Sequence, residues 1–460
     1  MDYNVIIVGS GPAGIFCALE LIANAPHLKI LIIEQGKDID RRHCPMNTKK
    51  GQACMSCPEC ELVSGWGGAG AYSDGKLTLS PEIGGFLTRY IETAELQALI
   101  DYVDGLYVHY GAPVELHGSD THAVNGIKNL AARNDMTFIP SQIRHIGTDK
   151  CRDVLSNMRK AIDGKADTIF EKVVQRIIVD KKKVVGVKLR DGLEIRADFV
   201  ILAPGRASSR WLETESRRLR LTLLKNPVDI GVRVEVPASV LEPLTRVTYE
   251  PKLVFYSKKF DDRVRTFCVN PYGEVVKEHI KGIWTVNGHS YSAKRTNNTN
   301  FAILSSTFFT EPFDEPISYG MYIARLANFL GGGVIVQRLG DLIKGRRSTP
   351  ERIARGIVEP TLTDSTPGDL SFVLPYRYLS NILEMLEVMD RVAPGVNSRH
   401  TLLYGVEVKY YSMQLRLTNC LETEIHDLFA IGDGAGVSRG LIQASASGVI
   451  AAREVIRRQR

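Results

Sequence analysis

The first forty residues constrain the fold most. Asn4-Val-Ile-Ile-Val8 is an unbroken apolar run of the kind that fills a parallel strand covered on both faces. Gly9-Ser-Gly-Pro-Ala-Gly14 follows, and Ile15 to Ala23 reads as an apolar helix. A second strand, Lys29 to Ile33, ends at Glu34, twenty residues beyond Gly14. Gly9 permits the tight turn, Gly11 lets backbone approach a pyrophosphate, and Gly14 lets helix pack on strand. Pro12 and Ala13 lie within this turn as further cofactor-binding positions, and the anion is expected at the helix N-terminus. Glu34 is placed to accept hydrogen bonds from a ribose. Strand, glycine turn, helix, strand and acid in this register predict a Rossmann-type βαβ unit that binds a dinucleotide.

The remaining classes narrow by composition. With 44% hydrophobic and 24% charged residues the 460-residue chain sits at globular averages, which disfavours disorder, collagen and coiled coil. No window offers eighteen consecutive apolar residues, so no membrane span is expected. The strand-like run so close to Met1 leaves no room for a secretory leader, and a cytoplasmic location is expected. Lys plus Arg exceed Asp plus Glu by only 58 − 52 = 6, without a block suited to nucleic acid. Lys181 to Lys183 read as a hairpin tip, and Arg457, Arg458 and Arg460 as cations at a helix C-terminus.

The other end of the chain names the dinucleotide. Asp427-Leu-Phe-Ala-Ile-Gly-Asp433 is an apolar strand running into a Gly-Asp pair, followed by Gly434-Ala-Gly436 and a small-residue helix from about Leu441 to Arg457. This end resembles flavoproteins of the glutathione-reductase-like class. In that class the resemblance implies that Gly432 and Asp433 meet the ribitol chain of FAD and that the following helix points at the flavin. Between the two ends, residues 152 to 163 look helical. Thr168 to Val179, Val184 to Leu189 and Leu193 to Arg196 look like a β-meander, and Ala197 to Gly205 is another buried strand ending in glycine. Val174, Ala203 and Gly205 are the cofactor-facing positions expected there.

The expected fold is therefore α/β, with a split Rossmann-type FAD-binding domain of the glutathione-reductase-like kind and an inserted β-rich α+β substrate domain. The expected limits are 1–83, 145–213 and 396–460 for the discontinuous FAD domain, 84–144 for a helical insertion, and 214–395 for the substrate or cap domain.

Several blocks carry a wider resemblance. They are Gly65-Trp-Gly-Gly-Ala-Gly-Ala-Tyr-Ser-Asp-Gly-Lys-Leu77, Phe199 to Arg206, Asn226 to Arg233, Arg265 to Val275, Gly405-Val-Glu-Val-Lys409 and Gly432 to Gly436. As a set they are similar to the bacterial FAD-dependent dehydrogenases called NAD(FAD)-utilising dehydrogenases, over nearly the whole chain. The resemblance implies a flavoenzyme and names no substrate.

Gly65 to Gly70 matches G-x-G-x-x-G in form, yet only a short piece precedes it and no apolar helix follows directly. Gly67, Gly68 and Ala69 are expected to wrap the FAD pyrophosphate or ring instead. NAD(P)H would then be at most a transient donor.

Cys44, Cys54, Cys57 and Cys60 crowd into seventeen residues. Three chemistries stay open: ligation of an iron-sulfur cluster, structural zinc, or a redox dithiol, beside four merely packed thiols. In the second half, Asp229 and Arg233-Val-Glu235 read as a strand that places Arg233 and Glu235 on one face, with a surface cross-strand ion pair as the alternative. His289 sits in a polar turn as a candidate acid or base. Arg346 and Arg347 are a candidate clamp for an anion. Glu407 and Lys409 share a strand face and are candidate proton carriers if a cavity opens there, with Tyr410 and Tyr411 beside them as an aromatic wall.

The functional expectation is an FAD-dependent oxidoreductase that oxidises or reduces a small, anionic or neutral organic molecule by hydride transfer. Two alternatives stand beside it: a flavoprotein passing electrons through the cysteines to a redox partner protein, and a non-catalytic FAD-binding redox sensor.

Overall fold

The structure is a computed structural model that describes residues 2–44, 57, 59–224, 226–280, 282–291, 294–309, 315–409 and 413–459. The chain divides into two units. The first comprises Met1–Glu115, Arg144–Asn226 and Ser412–Arg460; the second comprises Leu116–Ile143 and Pro227–Tyr411.

In the first unit the strand Asp2–Val8 lies parallel between Ile30–Ile33 and Glu194–Leu202, with Val5 opposite Ile30 on one side and Phe199 on the other. Asp167–Ile169 extends the sheet beyond Ile30–Ile33. Glu194–Leu202 is shared. Its end pairs in parallel with Leu428–Ala430, while its start pairs antiparallel with Lys183–Leu189, which in turn pairs with Val174–Asp180. The apolar runs fit this place because Val5, Ile6, Ile7 and Ile30–Ile33 are all buried, as a parallel strand covered on both faces requires. Helix Pro12–Asn24 packs on the C-terminal helix Leu441–Arg458 so closely that a Cβ on Gly448 would lie 2.1 Å from the Ala13 carbonyl oxygen.

The second unit is built on an eight-stranded sheet. Its order is Thr366–Pro367, Ile335–Arg338, Leu402–Lys409, Val228–Pro237, Asn298–Thr307, Arg263–Asn270, Lys252–Tyr256 and Met136–Ile139. Val228, Ile230, Val232 and Val234 enter one apolar core with Phe301, Ile303, Leu403 and Val406, and Ile323, Ile382 and Met385 come in from helices Pro316–Gly331 and Tyr376–Met389. The alternation of that strand sends Asp229, Arg233 and Glu235 to the opposite face. Glu274–Ile280 and Ile283–His289 form a separate hairpin.

The expected domain limits need correction at three places. Residues 84–144 are not one insertion. Helix Thr93–His109 stays in the first unit, where the Arg144 guanidinium forks onto Asp104 at 2.7 and 2.6 Å and Tyr107 Oη lies 3.1 Å from Ser445 Oγ. Residues 116–143 join the second unit, because Met136–Ile139 pairs with Lys252–Tyr256 as an edge strand. Strand Leu402–Lys409, expected within 396–460 of the FAD domain, is instead hydrogen-bonded on both sides inside the second sheet, and residues 214–226 remain with the first unit. No helix among the described residues is long and apolar enough to cross a membrane.

Candidate functional site

Four turns converge in the first unit. Gly9, at φ +105°, follows strand Asp2–Val8, and a Cβ there would lie 2.2 Å from the Ala203 carbonyl oxygen, so the turn after Val8 and the turn after Leu202 touch through backbone alone. Gly67 donates its N–H to the Ser10 carbonyl at 2.8 Å, which brings the second glycine run onto the first. A Cβ on Gly68 would meet Gly11 Cα at 3.1 Å. Gly434 lies against the carbonyl of Gly205, and a Cβ on Gly432 would sit 3.0 Å from the Ala13 side chain.

Gly11 is the exception among these contacts. It has an extended backbone, φ −73° and ψ −178°, and a Cβ built on it meets nothing within 4 Å. Gly11 is also the N-cap of helix Pro12–Asn24 and provides no side-chain cap, so the first-turn N–H groups of Ala13 and Gly14 have no capping side chain. The C-terminal helix repeats the arrangement with Gly440 as its N-cap, without a side-chain bond and without an acid in its first turn. The uncapped N-terminus of helix Pro12–Asn24 and its bare Gly11 make a cradle of the kind a diphosphate fits, since orphan N–H groups and the helix dipole both favour an anion.

Other expected cofactor positions divide. Asp433 accepts from Ser438 Oγ at 2.7 Å and lies 3.4 Å from Arg206 Nε, at the turn before the C-terminal helix. Gly205 has φ +64° and open space beside it. Val174 is a core residue at the start of its strand, opposite Leu189. Glu34 differs from expectation. Its Oε2 accepts from Ser10 N–H at 2.9 Å and Ser10 Oγ at 2.8 Å, and its Oε1 from Gly36 N–H at 2.8 Å and Gly65 N–H at 2.9 Å. Four donors use the about four lone-pair sites of a carboxylate. Glu34 therefore ties three loops together, and its sites are taken by the chain where a ribose was expected.

Sequence reasoning missed Arg42. Its side chain is fully buried beneath the second glycine run, where Nη1 donates to the carbonyls of Trp66 at 2.5 Å and Gly68 at 2.9 Å, and Nε and Nη2 to that of Glu61 at 3.1 and 2.7 Å. Burial pulls this guanidinium below its ordinary range. Arg41, its neighbour, reaches out to Glu171, and nothing in an Arg-Arg pair tells which member goes inside.

Cys44, Cys57 and Cys60 are free thiols, and no group of three potential ligands that could hold a metal occurs among the described residues; Cys54 lies outside them. A cavity of about 720 Å³ in the same unit, lined by Arg89, Tyr90, Tyr102, Cys420 and Arg453 among others, receives no residue from the four turns.

The second-unit candidates are engaged within the protein. Glu407 is fully buried and gives both carboxylate oxygens to Arg233, at 2.8 Å from Nε and 2.9 Å from Nη2, while Lys409 Nζ stands 3.1 Å away. The sheet and its neighbours enclose them, so the cavity-facing pair of proton carriers is corrected to a buried ion cluster. Arg233 and Glu235 are correspondingly no surface pair. Glu235 is buried and accepts from Tyr404 Oη, Thr361 Oγ1 and Asn298 Nδ2, and burial raises its carboxyl above the usual range. Asp229 is bound by Arg265 and Ser306, both at 2.6 Å.

His289 ends a strand opposite Glu274 and does not lie in a turn. Arg346 is committed to the buried Asp341 at 2.9 Å, so it clamps a carboxylate of its own chain, and Arg347 is exposed. Tyr410 and Tyr411 lie outside the described residues.

Comparison with known proteins adds the following. A Clostridium beijerinckii protein described only as uncharacterized is 28% identical over 479 residues, covering 98% of this chain and 80% of the relative. Solved structures align over the whole chain at low similarity. Formate oxidase aligns at 12% identity and TM-score 0.46, over 100% of this chain and 98% of the enzyme. The 3-ketosteroid-delta4-(5alpha)-dehydrogenase of Rhodococcus jostii, in complex with 4-androstene-3,17-dione, aligns at 14% identity and TM-score 0.44, over 99% and 97%. Glycine oxidase of Geobacillus kaustophilus aligns at 13% identity and TM-score 0.41, over 99% and 95%. Residues 227–410 match the family model described as FAD-dependent protein, C-terminal domain-like, and through that segment the chain is similar to the C-terminal domain of FAD-dependent proteins.

Proposed function

We propose that the chain is an FAD-dependent oxidoreductase acting on a small organic substrate, with FAD held in a split Rossmann-type fold of the first unit and the second unit serving as substrate domain. One observation carries the reading: four turns close around Gly11, which stays bare at an uncapped helix N-terminus. The family match of residues 227–410 supports it independently.

FAD, when bound, supplies the hydride-transfer chemistry. The chain's own groups do the rest. The N–H groups of Ala13 and Gly14 bind the diphosphate, and Gly67, Gly68 and Ala69 close over it. Asp433 offers an acceptor to the ribitol chain. The N-terminus of helix Leu441–Arg458, free of acidic side chains in its first turn, would stabilise negative charge on the flavin as it is reduced. Glu34 holds the loops in register by its four hydrogen bonds and keeps Gly65 beside Ser10.

The test is anaerobic mixing of the FAD-loaded chain with NADH, NADPH and a panel of small organic acids, alcohols and enones while flavin absorbance is followed. Reduction by one class and reoxidation by another identify the substrates. A flavin that binds stoichiometrically but that no donor or acceptor changes contradicts the oxidoreductase reading.

A further inference from the structure

Arg42 is fully buried. Among the described residues no carboxylate lies within salt-bridge distance of it; its guanidinium meets three carbonyls and, at 5.1 Å, the ring of Tyr72. The neighbouring acids act on it through space only, their hydrogen bonds going to other groups. Glu34 accepts from Ser10, Gly36 and Gly65, and Glu61 accepts from Lys37 Nζ at 2.5 Å and His43 N–H at 2.8 Å. The three carbonyls meet the donors of this buried cation, and the Glu34 and Glu61 carboxylates nearby supply opposite charge through space, as a buried cation requires.

Peptide geometry says what these carbonyl contacts do to the loop. In a trans peptide the C=O and N–H point in opposite directions. The Trp66–Gly67 peptide sets its C=O on Arg42 and its N–H on the carbonyl of Ser10, inside the first glycine turn. The Gly68–Ala69 peptide sets its C=O on the same guanidinium, which turns the Ala69 N–H toward the side of that turn, where it has no backbone acceptor among the described residues. Gly68 itself lies against Gly11, beside the open space at the helix N-terminus.

We propose that Arg42 is a positioning residue for the diphosphate of FAD. It pins the carbonyls of Trp66 and Gly68 away from the cleft, so the loop offers the Ala69 N–H there in place of carbonyl oxygens. The proposal rests on the FAD reading above and adds to it the residue that shapes the loop.

The experiment uses the full-length apoprotein with ADP and adenosine as probes, measured by calorimetric titration, alongside FAD itself. Wild type should prefer ADP over adenosine. Arg42→Gln should lose about tenfold or more in ADP affinity, about 1.4 kcal/mol per tenfold, while adenosine affinity stays within about threefold. Arg42→Lys keeps the charge without the fork and should retain more of the preference. Equal losses for both probes would make Arg42 a prop of the loop and overturn the proposal, as would an unchanged preference in Arg42→Gln. If Arg42→Gln does not fold, Arg42→Lys decides: an ADP loss of about threefold or more that adenosine does not share upholds the proposal, and an equal or absent loss overturns it. Wild type that takes up FAD while the variant keeps its preference sinks the proposal alone; wild type that binds neither FAD nor ADP sinks the FAD reading with it.

Discussion

Gly11 and Gly14 are three residues apart, yet the same substitution should do opposite things to them. At Gly11 the backbone is extended, φ −73° and ψ −178°, and an added Cβ has nothing within 4 Å. Replacing an N-cap glycine by alanine costs helix stability, up to about 1 kcal/mol, because alanine is a poor N-cap. The alanine also stiffens the unfolded chain, which returns about 0.4–1 kcal/mol. The two nearly cancel, so the Gly11→Ala apoprotein should unfold within about 1 kcal/mol of wild type.

The methyl nevertheless fills the cradle. Overpacking a fitted contact costs about 1–3 kcal/mol, which at about 1.4 kcal/mol per decade is a loss of roughly 5- to 150-fold in FAD affinity. At Gly14 the new Cβ would stand 2.0 Å from the carbonyl oxygen of Gly9 and 3.3 Å from Ile7, inside the packed junction of strand and helix. Gly14→Ala should therefore lose stability first, with FAD binding lost as a consequence. Thermal unfolding of deflavinated protein and FAD titration by fluorescence quenching separate the two effects. A Gly11→Ala protein that binds FAD within twofold of wild type would refute the assignment of that open space to the diphosphate.

Other expectations concern stability and reactivity. Glu407→Gln leaves Arg233 buried with half of its fork unmet, and should cost about 3–5 kcal/mol in denaturant unfolding, whereas the Arg233→Met, Glu407→Leu double variant should cost less. At Asp341 burial raises the carboxyl, but hydrogen bonds from Arg338, Ser348 and Arg346 overcome this and hold it at about 2. A depressed native value stabilises above the unfolded value of about 4. The Tm advantage of wild type over Asp341→Asn should thus be full above about pH 4 and vanish toward pH 2; an advantage that grows on acidification would contradict the pairing. Burial pushes the Cys151 thiol up to about 12 and raises Cys17 further, so neither should react with iodoacetamide at pH 8 until the chain unfolds, which peptide mass mapping reads directly.

The parts of the fold legible in the sequence are those written in local pattern. Asn4 to Gly14 announces strand, turn and helix through an apolar run and glycines, and strand Asp2–Val8 with helix Pro12–Asn24 follows it closely. The stretch from Leu193 to Leu202 was legible as strand, though Glu194–Leu202 is one continuous strand where two were expected. What pattern cannot carry is the choice of partner. Leu402–Lys409 alternates like any half-polar strand, and its membership of the second sheet is decided by pairing with Val228–Pro237 and Ile335–Arg338, far away in the chain. Glu407 looked available for chemistry because its guanidinium partner lies 174 residues away. Glu34 was legible as an important acid, yet the sequence does not reveal that Ser10, Gly36 and Gly65 already claim its oxygens.

The central claim is that the first unit binds FAD. An absorbance spectrum of the purified chain, with the released cofactor identified by mass and quantified against protein, tests it in one preparation. The account predicts flavin bands and one FAD per chain, or stoichiometric uptake when FAD is added to apoprotein. A folded chain that carries no flavin and takes up none would contradict it.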